Sequence, residues 1–143
     1  MTFGMLRLPA VAALTLALAL AGCGESKEDK AQTTVCSARA DIKAQVDELK
    51  GMSVTTATLD GVRANLKAIR DSLAKIAAAQ RDLAGERKQA AQEANQTFKS
   101  AVSSVTSELV TSVSLADGKQ QIQAALDGLA SSYQAAFAPL DCS

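Results

Sequence analysis

The side chains with the most available chemistry are three cysteines, Cys23, Cys36 and Cys142, in a chain of 143 residues that has no histidine. Without histidine, neither a Ser-His-Asp triad nor a Cys-His pair can form to activate a nucleophile. The cysteines lie too far apart for a C-x-x-C redox pair, and they lack the histidine partners of the usual zinc sites. We therefore expect no catalytic residue, no metal and no cofactor. Anchoring and disulfide formation remain as roles for the cysteines.

Cys23 ends an apolar segment that has the features of an export signal. Arg7 provides a positive start, and residues 8–20 are all uncharged and mostly apolar. Crossing a bilayer takes about 20 apolar residues, so this run is short for a membrane-spanning helix and is typical of a secretory signal peptide. We predict a signal peptide over residues 1–22, cleaved between Gly22 and Cys23. The alternative is an uncleaved anchor helix.

The sequence Leu20-Ala21-Gly22-Cys23 resembles the lipobox of bacterial lipoproteins, Leu-Ala/Ser-Gly/Ala-Cys. In that family the cysteine thiol receives a diacylglycerol, the signal peptide is cleaved just before the cysteine, and the new amino group can be acylated, for example with palmitate. Two or three acyl chains give stable membrane attachment. The resemblance implies that Cys23 is lipidated and holds the protein in the cell envelope, on the extracytoplasmic side of the membrane.

Export would place Cys36 and Cys142 in an oxidising compartment, where an even pair of cysteines usually forms a disulfide. A bridge between them closes a loop of roughly 100 residues, which stabilises the folded state by about 4 to 5 kcal/mol in the chain-entropy treatment. The alternative is two unrelated free thiols. We predict the Cys36–Cys142 disulfide.

The mature chain divides into a short polar stretch and a helical body. Residues 24–33, GESKEDKAQT, are polar and charged without periodicity, which predicts that residues 23–33 form a lipidated N-terminus and flexible tether. A helical rhythm begins at Val35, for which Thr33 or Thr34 can serve as N-cap. We therefore place a helical domain at residues 34–143.

The helical domain contains two runs of apolar residues spaced three and four apart, which is the heptad pattern of coiled coils. The first runs from Leu59 to Ile76 and the second from Phe98 to Val113. Either one long helix joins them or the chain breaks near Ala84-Gly85. The break is favoured because it lets four helices bury all the apolar positions.

These patterns predict an all-α fold, an antiparallel three- or four-helix bundle. The body also resembles small, alanine-rich helical lipoproteins of actinobacterial type, which have no assigned activity. Like this chain, they carry one cysteine early and one at the extreme C-terminus, here Cys36 and Cys142. That resemblance implies a bundle closed by a disulfide.

Two groups of polar residues on the second helix have alternative interpretations. Arg63, Lys67 and Arg70 form a basic stripe that could contact anionic lipid headgroups or wall polymers, or could be ordinary exposed charge. Ser72 and Lys75 match the S-x-x-K element of penicillin-recognising enzymes, but the S-D-N and K-T-G companions are missing. We interpret Ser72 and Lys75 as helix-surface residues.

Together these features predict a lipid-anchored envelope protein with a non-enzymatic binding or structural role. The alternatives are a carrier of a lipid or apolar ligand within the bundle and an envelope spacer. Expected partners are the membrane and an envelope protein or wall polymer, and the heptad seam offers a route to oligomers. With 15 basic and 15 acidic residues, the chain has no net charge that would recruit nucleic acid.

Overall fold

The computed structural model describes residue 24 and residues 26–55, 57–111 and 115–142. The four helices of this part of the chain are α1 (Lys27–Gly51), α2 (Leu59–Ala79), α3 (Gly85–Thr111) and α4 (Leu115–Phe137). A short 3-10 turn (Gln80–Asp82) follows α2. The predicted signal peptide and lipobox, including Cys23, lie outside the described residues.

The helices form the predicted all-α bundle. α1 packs most extensively on α2, and α3 on α4, so the chain makes two helical hairpins. Two further contacts join the hairpins: the α1–α4 seam and the α2–α3 seam. The apolar positions of α2 face inward, with Leu66, Ile69 and Ile76 all buried. The heptad seam of α2 is therefore used to pack this bundle.

The start of α1 corrects the predicted tether. The helix begins at Lys27 and not after Thr33, because Ser26 caps it: the Asp29 amide donates to Ser26 Oγ at 3.1 Å. Glu28 and Asp29 lie in the first turn, where the helix dipole favours carboxylates. Ala31 is already part of the core. Residues 27–33 therefore belong to the bundle. Their charged composition is typical of a tether, but Ser26 caps a helix here.

The predicted chain break between α2 and α3 is confirmed. α2 ends at Ala79, the 3-10 turn follows, and Leu83 is extended with its side chain buried. Gly85 has a φ of 56°, a left-handed conformation that glycine adopts at low cost. The chain therefore turns at this point, and the buried side chain of Leu83 packs the turn against the core.

Aromatic packing joins the two helices of the second hairpin. Phe98 on α3 contacts Tyr133 and Phe137 on α4 edge to face, with ring centroids 5.7 and 5.5 Å apart. Such arrangements suit the quadrupoles of aromatic rings. These three aromatic rings belong to the hydrophobic core, whose other buried residues are aliphatic.

Candidate functional site

The α1–α4 seam carries the disulfide. The Sγ atoms of Cys36 and Cys142 lie 2.09 Å apart and their Cα atoms 5.5 Å apart. The predicted cysteine pairing is thus present, and it ties the tail after α4 to the first helix.

Polar contacts reinforce the same seam. Arg39 Nη1 donates to the Leu140 carbonyl at 3.1 Å, and the Tyr133 hydroxyl donates to the Arg39 carbonyl at 3.1 Å. Gln32 Nε2 also donates to the carbonyl of Asp141. Hydrogen bonds to backbone carbonyls fix the position of the C-terminal tail, so this end of the molecule is a structural closure.

The α2–α3 seam instead contains a cavity of about 360 Å³, which we call the α2–α3 groove. Its lining includes Arg70, Ala74, Ala77 and Arg81 from the α2 side and Asn95, Lys99 and Ser103 from α3. The volume lies within the range of about 300 to 1,000 Å³ that is typical of small-molecule sites. The groove exists because the residues that α2 presents here are mostly alanine and do not fill the space between the helices.

The charge in the groove is of one sign. Arg70, Arg81 and Lys99 line it, and none of the described residues adds a carboxylate to the lining. None of these three cations makes an ion pair within the part of the chain that the structure describes. Like charges along one groove repel each other, and a bound anion would relieve that repulsion.

Asn95 is the buried polar residue of the groove. Its side chain is only 8% exposed, and its Oδ1 has no hydrogen-bond partner among the described residues. Most buried polar atoms in proteins do have a partner, so an unpaired amide in a cavity wall is unusual. Asn95 thus places a buried side-chain amide in the wall of the groove, beside three exposed cations.

A second, shallower cavity continues the groove toward the end of α3; we call it the outer cavity. It has a volume of about 440 Å³ and is lined by Arg63, Leu66, Arg70, Thr106, Leu109 and Val110. Arg70 lines both cavities and therefore lies between them. Val110 is 80% exposed, more than any other large apolar side chain in the described residues. The outer cavity thus adds both apolar and charged surface to the groove.

The structure divides the predicted basic stripe. Arg63 and Arg70 line the same outer cavity, whereas Lys67 does not contribute to it. Lys67 forms an ion pair with Asp71 at 2.8 Å, and Arg63 forms one with Asp60 at 3.0 Å. The hydrogen bond from Lys67, together with its charge, lowers the pKa of Asp71. Lys67 and Arg63 are therefore already paired, and Arg70 is the unpaired cation of the stripe.

Sequence reasoning missed Lys99, Asn95 and Ser103. These residues are spaced four apart on α3 and therefore share one face, directly beside the buried Phe98 and Val102. The sequence feature that could have identified them is this row of polar residues beside an apolar row. The polar row lines a cavity only because alanines of α2 lie opposite it, and the pattern of one helix does not show which residues of another helix face it.

The Ser72-Lys75 pair lies elsewhere, in a cavity between α1 and α2. Ser72 is buried, which corrects the predicted surface position, and Lys75 is exposed. Ser72 is buried because α1 packs over this part of α2, where a small side chain is accommodated.

No known protein family matches the chain, and neither does any curated protein or solved structure. None of the four helices in the described residues is both long and apolar enough to cross a bilayer. The same residues contain no cluster of three or more histidine, cysteine, aspartate or glutamate side chains that could hold a metal ion.

Proposed function

We propose that this chain is a lipid-anchored protein of the cell envelope with a non-enzymatic binding role. The Cys36–Cys142 pairing is the observation that carries the proposal. Structural disulfides persist in oxidising compartments outside the cytoplasm, which is where the lipobox resemblance would deliver the protein.

The position of α1 supports a close attachment to the membrane. Lys27 begins the helix four residues after Cys23, a span of at most about 14 Å even when fully extended. The end of the bundle that contains the start of α1, the disulfide and the α2–α3 turn would therefore face the lipid headgroups. An anchor this short holds the body at the membrane surface.

The non-enzymatic part of the proposal depends on the types of side chain that are present. The sequence contains no histidine to act as a general base near neutral pH. The α2–α3 groove offers cations, an amide and a hydroxyl but no carboxylate, a set that binds an anion without transforming it.

Fractionation of Cys23 variants tests the anchor. The wild-type protein should be found in the membrane fraction, with a mass that lacks residues 1–22 and includes acyl chains. Cys23→Ser should keep the signal peptide or lose acylation. Cys142→Ser removes a different cysteine and should remain acylated, which makes it the matched control. A wild-type protein with residues 1–22 attached, or with an unmodified Cys23 thiol, would refute the anchor.

One observation favours a second candidate function, the carrier of a lipid or apolar ligand. The α2–α3 groove provides a cavity of about 360 Å³ between helices. A spacer would have no need for such a cavity, because a rod-like protein is stabilised by filling its seams.

A further inference from the structure

We propose that the α2–α3 groove binds a single-chain anionic amphiphile, a molecule with one phosphate or carboxylate head and an alkyl body. This inference specifies the ligand class for the binding role proposed above. It depends on three observations: cations without an ion pair among the described residues, a buried asparagine in the groove wall, and apolar side chains on both sides of Arg70.

The head group would bind at the end of the groove near the α2–α3 turn. Arg81 and Asn95 lie at this end because α2 and α3 run antiparallel, and Lys99 is one turn further along α3. Arginine and lysine donate charge-assisted hydrogen bonds to phosphate and carboxylate oxygens. Since no carboxylate lines the groove, these cations have no internal competitor for an anion.

Asn95 adds a buried, uncharged polar side chain to the cations of the groove. The residue is 8% exposed and lines the groove, while its Oδ1 is enclosed and lacks a partner among the described residues. Leaving a buried polar atom unpaired destabilises the free protein. Oδ1 is an acceptor and does not pair with an anion, whereas Nδ2 is a donor from which a phosphate or carboxylate oxygen can accept a hydrogen bond.

The alkyl body would lie toward the outer cavity. Leu73, Ala74 and Ala77 form the apolar wall of the groove on α2, and beyond Arg70 the surface continues with Leu66 and Val110. Arginine side chains can lay their apolar stems along such a surface while the guanidinium remains in water. An alkyl chain here would also cover part of Val110, which is 80% exposed in the free protein.

The shape of the groove favours a single molecule over a bilayer surface. The cavity lies between two helices, and residues of both helices line it. A free phosphate ion would satisfy the cations but would leave the apolar wall exposed. Only a ligand with both parts uses all the groups that line the groove.

Titration calorimetry with monodecyl phosphate and decanoate, both below their micelle concentrations, tests the proposal. The full disulfide-bonded chain is held in nanodiscs of zwitterionic lipid, with empty nanodiscs as background. Decanol and inorganic phosphate each represent one half of the ligand. We expect either amphiphile to bind at least tenfold more tightly than both of these. Equal binding of inorganic phosphate or of decanol, or binding only to anionic vesicles, would overturn the proposal.

Matched variants locate the site. Lys99→Gln should weaken decyl phosphate binding by about tenfold, because it removes a charged hydrogen-bond donor. Lys67→Gln, the same change on the exposed surface outside the groove, should change it by less than twofold. Ala74→Phe should obstruct the groove with all charges retained, while Ala64→Phe on the same helix should leave binding intact. Equal effects within each pair would place the ligand elsewhere.

Nuclear magnetic resonance of the wild-type protein keeps the proposal testable if a variant fails to fold. The side-chain amide signals of Asn95 should shift on addition of decyl phosphate, and those of Asn65 should not. An unchanged Asn95 signal at saturating ligand would exclude the groove. If the chain does not associate with nanodiscs, the titration is run in buffer, so a failed anchor and a failed groove give separate results.

Discussion

The two seams that join the helical hairpins carry different side chains. The α1–α4 seam has a disulfide between Cys36 and Cys142 and hydrogen bonds that join Arg39 to the C-terminal tail and to Tyr133 on α4. The α2–α3 seam has a cavity, three unpaired cations and a buried amide without a partner. The two helix pairs pack to a similar extent, and a cavity lies at the surface of each seam, so the seams differ in their side chains and in the covalent bond. We call the α1–α4 seam the closed seam because a disulfide bridges it, and the α2–α3 seam the open seam because no disulfide joins its described residues.

Breaking the closed seam should have the largest effect. Cys142→Ser opens a loop whose ends are 106 residues apart in sequence. The free energy of unfolding should fall by about 4 to 5 kcal/mol, a large share of the ~5 to 15 kcal/mol that stabilises a typical domain. Urea unfolding of the oxidised wild type, the reduced wild type and the variant measures the loss. Unfolding free energies within about 1 kcal/mol of each other for all three would contradict a structural role for the bridge.

Changing the open seam should have a smaller effect of the opposite sign. Asn95→Leu replaces a buried amide with an apolar side chain of similar size, which removes the unpaired Oδ1. We expect the free energy of unfolding to rise by about 1 to 2 kcal/mol, while binding of decyl phosphate weakens.

Asn65→Leu is the control for this change. Asn65 is also buried with an unpaired amide atom, Nδ2, but it does not line the groove. This variant should gain stability and keep its affinity for decyl phosphate. If both variants lose affinity equally, Asn95 has no special relation to the ligand.

The same contrast shows what could be predicted from sequence. The closed seam was predictable because a cysteine near each end of the helical body, in a chain predicted to be exported, points to one pairing, and because apolar spacing indicates helices. The open seam was not, since the groove depends on which faces of α2 and α3 meet. Arg70 was identified from the pattern of its own helix. Lys99 and Asn95 could be recognised as cavity residues only once the structure placed Ala74 and Ala77 in the same cavity wall. The start of α1 was predicted too late because the charged composition of residues 24–33 was interpreted as a tether and Ser26 was not considered as a helix cap.

A single hydrogen bond in the closed seam provides a finer test. Tyr133→Phe removes the hydroxyl that donates to the Arg39 carbonyl and leaves the aromatic contact with Phe98 in place. We expect a loss of about 1 kcal/mol in the free energy of unfolding, because the seam retains its disulfide and its other contacts. Urea unfolding measures it. A loss as large as that of Cys142→Ser would mean that the hydroxyl, and not the bridge, closes the seam.

The smallest expected effect concerns Lys67, the residue of the basic stripe that lines neither the groove nor the outer cavity. Its hydrogen bond and charge lower the pKa of Asp71, so this pair favours the folded state above the unfolded pKa of aspartate. That contribution disappears as the pH falls through the lower pKa of the folded protein. Lys67→Gln should raise the pKa of Asp71 toward its ordinary value, as measured by carboxyl carbon chemical shifts against pH, while Lys43→Gln on α1 should not. If Lys99→Gln shifted the pKa of Asp71 as strongly as Lys67→Gln, Lys99 would already have a carboxylate partner and would not be free to bind an anion in the groove.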